Sequence, residues 1–261
     1  MFNFNARIVV KVGTSTLAYS NGKTNLRHME ELVRVLADLH NSGVQVALVS
    51  SGAIGVGIGK LGLAVRPGDT PGRQAASAVG QCELMFIYDK MFGEYGHTVG
   101  QLLITKNDVD DAERRDNLVN AFEKLFAYGA IPIINENDSV AVDEIVYGDN
   151  DNLSAQVARL IGADMLIILT DRDGLYDADP ALHPAAKRIP VVEEITEDIV
   201  RLAGGAGSQL GTGGMTTKIQ AARLAGEAGI CTAVINGSRP RDIYHVLEGQ
   251  DVGTIFKAVK K

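Results

Sequence analysis

Six short, near-continuous apolar runs constrain this chain more than any other feature. Ile8–Val12, Val44–Val49, Val99–Ile104, Ile131–Ile134, Met165–Leu169 and Thr232–Ile235 are each four to six residues long and rich in Val, Ile and Leu. A strand with one wet face alternates apolar and polar residues, whereas a near-continuous apolar run is a strand covered on both faces, as in a parallel sheet. Between the runs lie segments with helical spacing. His28–His40 carries Met29, Leu32, Val33, Leu36 and Leu39, and Asn117–Tyr128, Leu153–Ile161 and Thr216–Ala228 behave similarly. This βαβα alternation predicts an α/β fold with a mainly parallel sheet and helices on both of its faces. Ligands in such a sheet belong at the carboxyl ends of the strands, so residues there carry the functional reading.

At 261 residues the chain is near the upper limit of what one core supports, so one large domain is expected, with two small domains as the alternative. The Asp- and Pro-rich stretch Asp173–Pro190 reads as a loop or hairpin joining two lobes, with the boundary near Thr170. A net charge of −7 argues against a nucleic-acid surface but not against a nucleotide, which a few focused lysines and backbone N–H groups can hold. The 29 glycines cluster at 52–62, 204–214 and 226–237 and read as loop punctuation. Cys82 and Cys231 are expected to be buried free thiols of a reducing compartment. No secretory signal opens the chain, and no apolar run approaches the roughly 20 residues of a membrane span. A soluble, cytoplasmic protein is therefore expected.

Five motifs carry possible chemistry. Lys11-Val12-Gly13-Thr14-Ser15 follows the first strand, where a lysine and a glycine turn can meet phosphate. Its alternative is a lysine snorkelling from a strand end. Ser50-Ser51-Gly52-Ala53-Ile54-Gly55 follows the second strand and lets a ligand approach the backbone closely. Gly57, Gly59 and Gly62 beyond it match G-x-G-x-x-G, but too far from the strand for a dinucleotide fingerprint. Ile133-Ile134-Asn135-Glu136-Asn137-Asp138 and Gly148-Asp149-Asn150-Asp151-Asn152 are dense Asx clusters. One such residue could cap the helix that follows, but four in a row suggest recognition of ammonium and carboxylate groups, with metal ligation as an alternative. Leu169-Thr170-Asp171-Arg172-Asp173-Gly174 ends the fifth strand and is also a turn signal. Gly211-Thr212-Gly213-Gly214-Met215-Thr216-Thr217-Lys218 opens a helix, whose free N–H groups and positive dipole end suit an anion. Its residue order is not that of a P-loop.

Taken in order, these motifs resemble those of the amino acid kinase family, and the resemblance runs from about Ile8 to Phe256. It implies an open three-layer α/β/α sandwich, with an amino-acid-binding half over about 1–169 and a nucleotide-binding half over about 170–256. The activity implied is ATP-dependent phosphorylation of the side-chain carboxylate of a small amino acid, with L-glutamate favoured. By position, Lys11 and Lys218 would flank the transferred phosphoryl group and Asp151 would hold them. Ser51, Asn135, Asp138, Asp149 and Asn150 would contact the substrate. Lys11, Gly13, Thr170, Asp171, Thr212, Gly213, Gly214, Met215, Thr216, Thr217 and Lys218 would line the ATP site. Magnesium would accompany ATP, and no protein ligand to it is assigned. Many members acting on glutamate continue into a C-terminal PUA domain. This chain stops soon after Val252-Gly253-Thr254-Ile255-Phe256, so a single domain over 1–261 is expected. A homo-oligomer and feedback inhibition by L-proline are further family-based expectations. Acetylglutamate, aspartate, carbamate or uridylate phosphorylation, or a non-catalytic amino-acid sensor, are the alternatives.

Overall fold

The computed structural model describes residues 6–19, 23–141, 150–203 and 214–259. All six apolar runs form strands: β1 (Arg7–Val12), β2 (Gln45–Ser50), β3 (Val99–Ile104), β4 (Ile131–Glu136), β5 (Met165–Thr170) and, among the described residues, the seventh in chain order, β7 (Cys231–Asn236). Two short strands, β6 (Val191–Val192) and β8 (Thr254–Phe256), join them at one edge and are too brief to leave a sequence pattern. The sheet order is β3-β4-β2-β1-β5-β7-β8-β6, parallel from β3 to β7, with β8 antiparallel to β7.

The helices are α1 (Thr14–Leu17), α2 (Leu26–Asn41), α3 (Ala53–Leu61), α4 (Thr70–Gly93), α5 (Lys106–Asp110), α6 (Ala112–Ala127), α7 (Asn150–Leu160), α8 (Glu197–Ala203), α9 (Met215–Glu227) and α10 (Asp242–Leu247). They cover both faces of the sheet, giving the α/β/α sandwich. One core holds Ile8, Val10 and Val12 of β1 against α2, α4 and α10; the other holds Val9 against α6, α7 and α9. Successive side chains on a strand alternate between faces, so Lys11 falls on the α7–α9 side with Val9. That parity decides its partners.

Two expectations are corrected. The glycines of 52–62 are not loop punctuation: most lie in α3, with Gly52 and Gly62 as its left-handed caps at φ 98° and 66°. A Cβ on Gly57 would lie 1.7 Å from the Ala76 carbonyl oxygen, and one on Gly80 1.8 Å from that of Ala53. Glycine is required there because the α3 and α4 backbones touch. Neither thiol is fully buried either: Cys82 is exposed and Cys231 half-buried. Cys82 lies off the inward stripe of α4, which includes Ser77, Gln81, Leu84, Tyr88 and Phe92. The Asp173–Pro190 stretch is a hairpin-like excursion, pinned by a Tyr176–Arg188 bridge and an Asp177–Lys187 backbone bond of 3.0 Å. No helix among the described residues is long and apolar enough to cross a membrane.

Candidate active site

The carboxyl ends of β1, β2, β4 and β5 meet the first turns of α7 and α9, and most of the motif residues gather there. Asp149, Thr212 and Gly213 lie outside the described residues. Asn150 and Asp151 open α7 side by side, and their side chains serve two different clusters.

Asp151 is fully buried and lies between two lysines. Its Oδ1 is 2.7 Å from Lys11 Nζ, and its Oδ2 is 3.0 Å from Lys218 Nζ. Thr217 donates its hydroxyl to Oδ2 at 2.8 Å. Both lysines are themselves buried, at 7% and 4% exposure. Burial alone would push the Asp151 carboxyl up, but the Lys11 and Lys218 charges, with hydrogen bonds from Lys11 and Thr217, prevail and hold it below the usual carboxylate range. Asp151 thus acts as an anchor for two cations, and its side chain is spent on them instead of on helix capping. The snorkelling alternative for Lys11 fails as well, since its ammonium turns inward.

Asn150 turns the other way. Its Nδ2 faces three acceptors, the Ser50 carbonyl at 3.0 Å, Ser51 Oγ at 3.0 Å and Asn135 Oδ1 at 2.8 Å, which share its two hydrogens. Asn135 Nδ2 in turn donates to Gln81 Oε1 at 2.8 Å. Asp138, nearby in sequence, accepts a very short hydrogen bond from Ser77. Burial raises the Asp138 carboxyl above its usual range, with the Ser77 hydroxyl opposing. Gln81 and Ser77 carry no motif and were missed by the sequence reading. Their spacing of four on α4 is the one signal that could have paired them.

On the other side of β1, Thr170 ends β5 and its hydroxyl bonds the Asp171 carboxylate at 3.1 Å. Asp171 itself is exposed. Gly13 caps α1 with extended backbone, and a Cβ there would come within 3.7 Å of Lys11 Nζ. Gly214 caps α9, followed by Met215, Thr216 and Thr217, which are half-buried. Asp173-Gly174 is the turn its sequence suggested, and it is also a close approach: a Cβ on Gly174, whose φ is 137°, would lie 2.5 Å from Thr254 Oγ1. Beyond it, Asp173 accepts from Asn236 and Arg239 at the rim of a polar cavity of about 350 Å³. Among the described residues no group of three His, Cys, Asp or Glu side chains is placed to hold a metal ion.

The profile of the amino acid kinase family matches residues 6–236. Over 253 residues the chain is 55% identical to a glutamate 5-kinase of Clostridium tetani, an alignment spanning 97% of this chain and 95% of that one. A glutamate 5-kinase of Clostridium perfringens is 52% identical over 258 residues, covering 97% of this chain and 96% of the other. Among solved structures, a UMP kinase from Bacillus anthracis superposes with a TM-score of 0.63 over 98% of this chain and 97% of its own. At 18% identity that likeness speaks for the fold alone.

Proposed function

The chain belongs to the amino acid kinase family, and we propose that it transfers the γ-phosphoryl group of ATP to the γ-carboxylate of L-glutamate, giving L-glutamyl 5-phosphate and ADP. The observation that carries this reading is the convergence of two buried ammonium groups, Lys11 and Lys218, on the single carboxylate of Asp151.

A carboxylate is already ionised at neutral pH and needs no general base. One of its oxygens attacks the γ-phosphorus in line, the bond to the β–γ bridging oxygen breaks, and that oxygen leaves with the electron pair on ADP. The protein's work is to bring two anions together and spread the charge between them. Lys11 and Lys218, fixed by Asp151, are suited to flank the transferred group in a site largely free of water, where fixed charges act most strongly. Gly214 to Lys218 at the start of α9 would cradle phosphate oxygens with backbone N–H groups. Thr170, Asp171 and Gly13 would complete the ATP side together with Thr212 and Gly213, and magnesium would arrive on the phosphates. Ser51, Asn135, Asp138, Asp149 and Asn150 would hold glutamate. A place at the first step of proline biosynthesis in the cytoplasm, inhibition by L-proline and a homo-oligomeric state belong to the same proposal and rest on likeness to glutamate 5-kinases.

Hydroxylamine trapping of the acyl phosphate tests the reaction, with Mg-ATP and L-glutamate, N-acetyl-L-glutamate or L-aspartate supplied in turn. Hydroxamate from L-glutamate alone is expected. Hydroxamate from one of the others instead, or from none, would sink the substrate assignment.

A further inference from the structure

The amides at the ends of β2 and β4 form a chain with a direction. We propose that Gln81 is the positioning residue that braces this chain from α4 and so sharpens selection of a substrate with a free ammonium; this rests on the glutamate reading above.

An asparagine amide can sit two ways round in a chain of amides, but here backbone groups decide. The Glu136 N–H can only donate, and it lies 2.9 Å from the atom of Asn135 that must therefore be the oxygen. The Ser50 carbonyl can only accept, and it lies 3.0 Å from the atom of Asn150 that must be the NH2. With its oxygen turned to Glu136 and Asn150, Asn135 presents its own NH2 to Gln81 Oε1 at 2.8 Å. Every polar atom of the two asparagines is then accounted for except Asn150 Oδ1. Among the described residues that acceptor has no hydrogen-bond partner, on a residue only 1% exposed.

A buried acceptor without a partner calls for a donor. Glutamate offers one kind of charged donor, its α-ammonium, while its two carboxylates would meet Asn150 Oδ1 oxygen to oxygen. The free acceptor therefore both rewards an amine and rejects a carboxylate placed in the same spot. Gln81 stands one hydrogen bond further back, and it has a rigid support. It follows Gly80, where the α4 backbone packs directly against that of α3. Without Gln81 Oε1, the Asn135 NH2 is left unpaired in a buried site, and Asn135, which accepts from Asn150 Nδ2 at 2.8 Å, loses its brace on the α4 side.

The test compares L-glutamate with glutarate, the same diacid lacking the amine, as acceptors with Mg-ATP. Gln81→Met removes the acceptor at nearly constant volume, and Gln81→Glu keeps an oxygen toward Asn135. In Gln81→Met the KM for L-glutamate is expected to rise about ten-fold while kcat/KM for glutarate and the KM for ATP hold, and Tm falls by a few degrees because the Asn135 NH2 is left unpaired. The preference for the amine then shrinks about ten-fold, or about 1.4 kcal/mol. Gln81→Glu is expected to stay within about three-fold of the parent. Gln81→Ala, which cannot overpack the helix crossing, gives the same reading if the methionine variant folds poorly. An unchanged preference in Gln81→Met, or an equal loss in Gln81→Glu, overturns the proposal while leaving the function intact. A parent protein inactive on L-glutamate overturns both.

Discussion

Asn150 and Asp151 are neighbours on one turn of helix, yet they build clusters of opposite character. Asp151 gathers Lys11, Thr217 and Lys218 into a group held by full charges. Asn150 joins Ser51, Asn135 and Gln81 into a group held by neutral amides. Charges in a buried site act strongly and at a distance but have little sense of direction. Amides act weakly, at contact, and each has a donor end and an acceptor end. On the proposed function the first cluster meets the phosphoryl group, where charge develops, and the second meets the amino acid, where one end must be told from the other. The helix start is the hinge between the two tasks, because residues one apart on a helix project about 100° from each other.

The comparison breaks most visibly at Asp151. Asp151→Asn leaves two buried ammonium groups without their shared carboxylate, which is expected to cost about 3–5 kcal/mol of stability. Turnover should fall by roughly 10³-fold, the upper end of what one preorganised group supplies. Because the Asp151 pKa is depressed in the folded protein, its contribution is complete above the ordinary value of 3.8 and fades as pH falls below that. Urea titrations at pH 7 and pH 3 read this directly. The gap between parent and variant should narrow in acid, and a gap that stayed constant would mean that Asp151 is not the charged anchor.

Lys218→Ala separates chemistry from stability within the charged cluster. The variant keeps Lys11 paired with Asp151, so its loss of stability should be smaller than that of Asp151→Asn. The rate should still fall by roughly 10²–10³-fold, the effect of removing one group aimed at developing charge. Steady-state kinetics at saturating ATP, set beside thermal melts, show whether the two effects part. Near-normal turnover would remove Lys218 from the mechanism.

The charged cluster was the more legible of the two, and the reason is physical. Lys11, Asp151 and Lys218 stand beside strand ends and helix starts, where a charge flanked by Gly, Thr or Asn is conspicuous in a sequence. The partners of the amide cluster come from α4, which left no such mark. Pro71, Gly72 and Gly80 read as helix breakers, whereas Pro71 sits in the first turn and Gly80 is the contact point of two helices. The inward stripe of α4 also changes character along its length, from Ser77 and Gln81 to Leu84, Tyr88 and Phe92. Hydrophobic periodicity, the main helix signal, therefore emerges only in its second half. The central strands β1, β2, β4, β5 and β7 suffered less ambiguity, since almost all of their residues are buried and their runs are mostly Val, Ile and Leu. The face that Lys11 takes followed from strand parity, but its pairing with Asp151 needed the three-dimensional meeting of β1, α7 and α9.

Asp138 gives the smallest expected effect and the sharpest contrast of sign. It is a buried carboxylate beside the amide cluster, and it accepts a hydrogen bond from the neutral Ser77 hydroxyl. Burial raises its pKa, so the folded state prefers the protonated form. Below the ordinary value of 3.8 that preference costs nothing, because the carboxyl is protonated whether folded or not. As pH climbs through the raised folded value, ionisation destabilises the fold, the reverse of what happens at Asp151. Asp138→Asn keeps an acceptor for Ser77 and removes the charge. It should raise Tm at pH 7 by a few degrees, with the gain vanishing near pH 3. The same substitution should raise the KM for L-glutamate, since a buried carboxylate beside the proposed amino-acid site is suited to the substrate ammonium. A variant that lost stability at pH 7 would place Asp138 among the structural groups, and the contrast with Asp151 would rest on the amides alone.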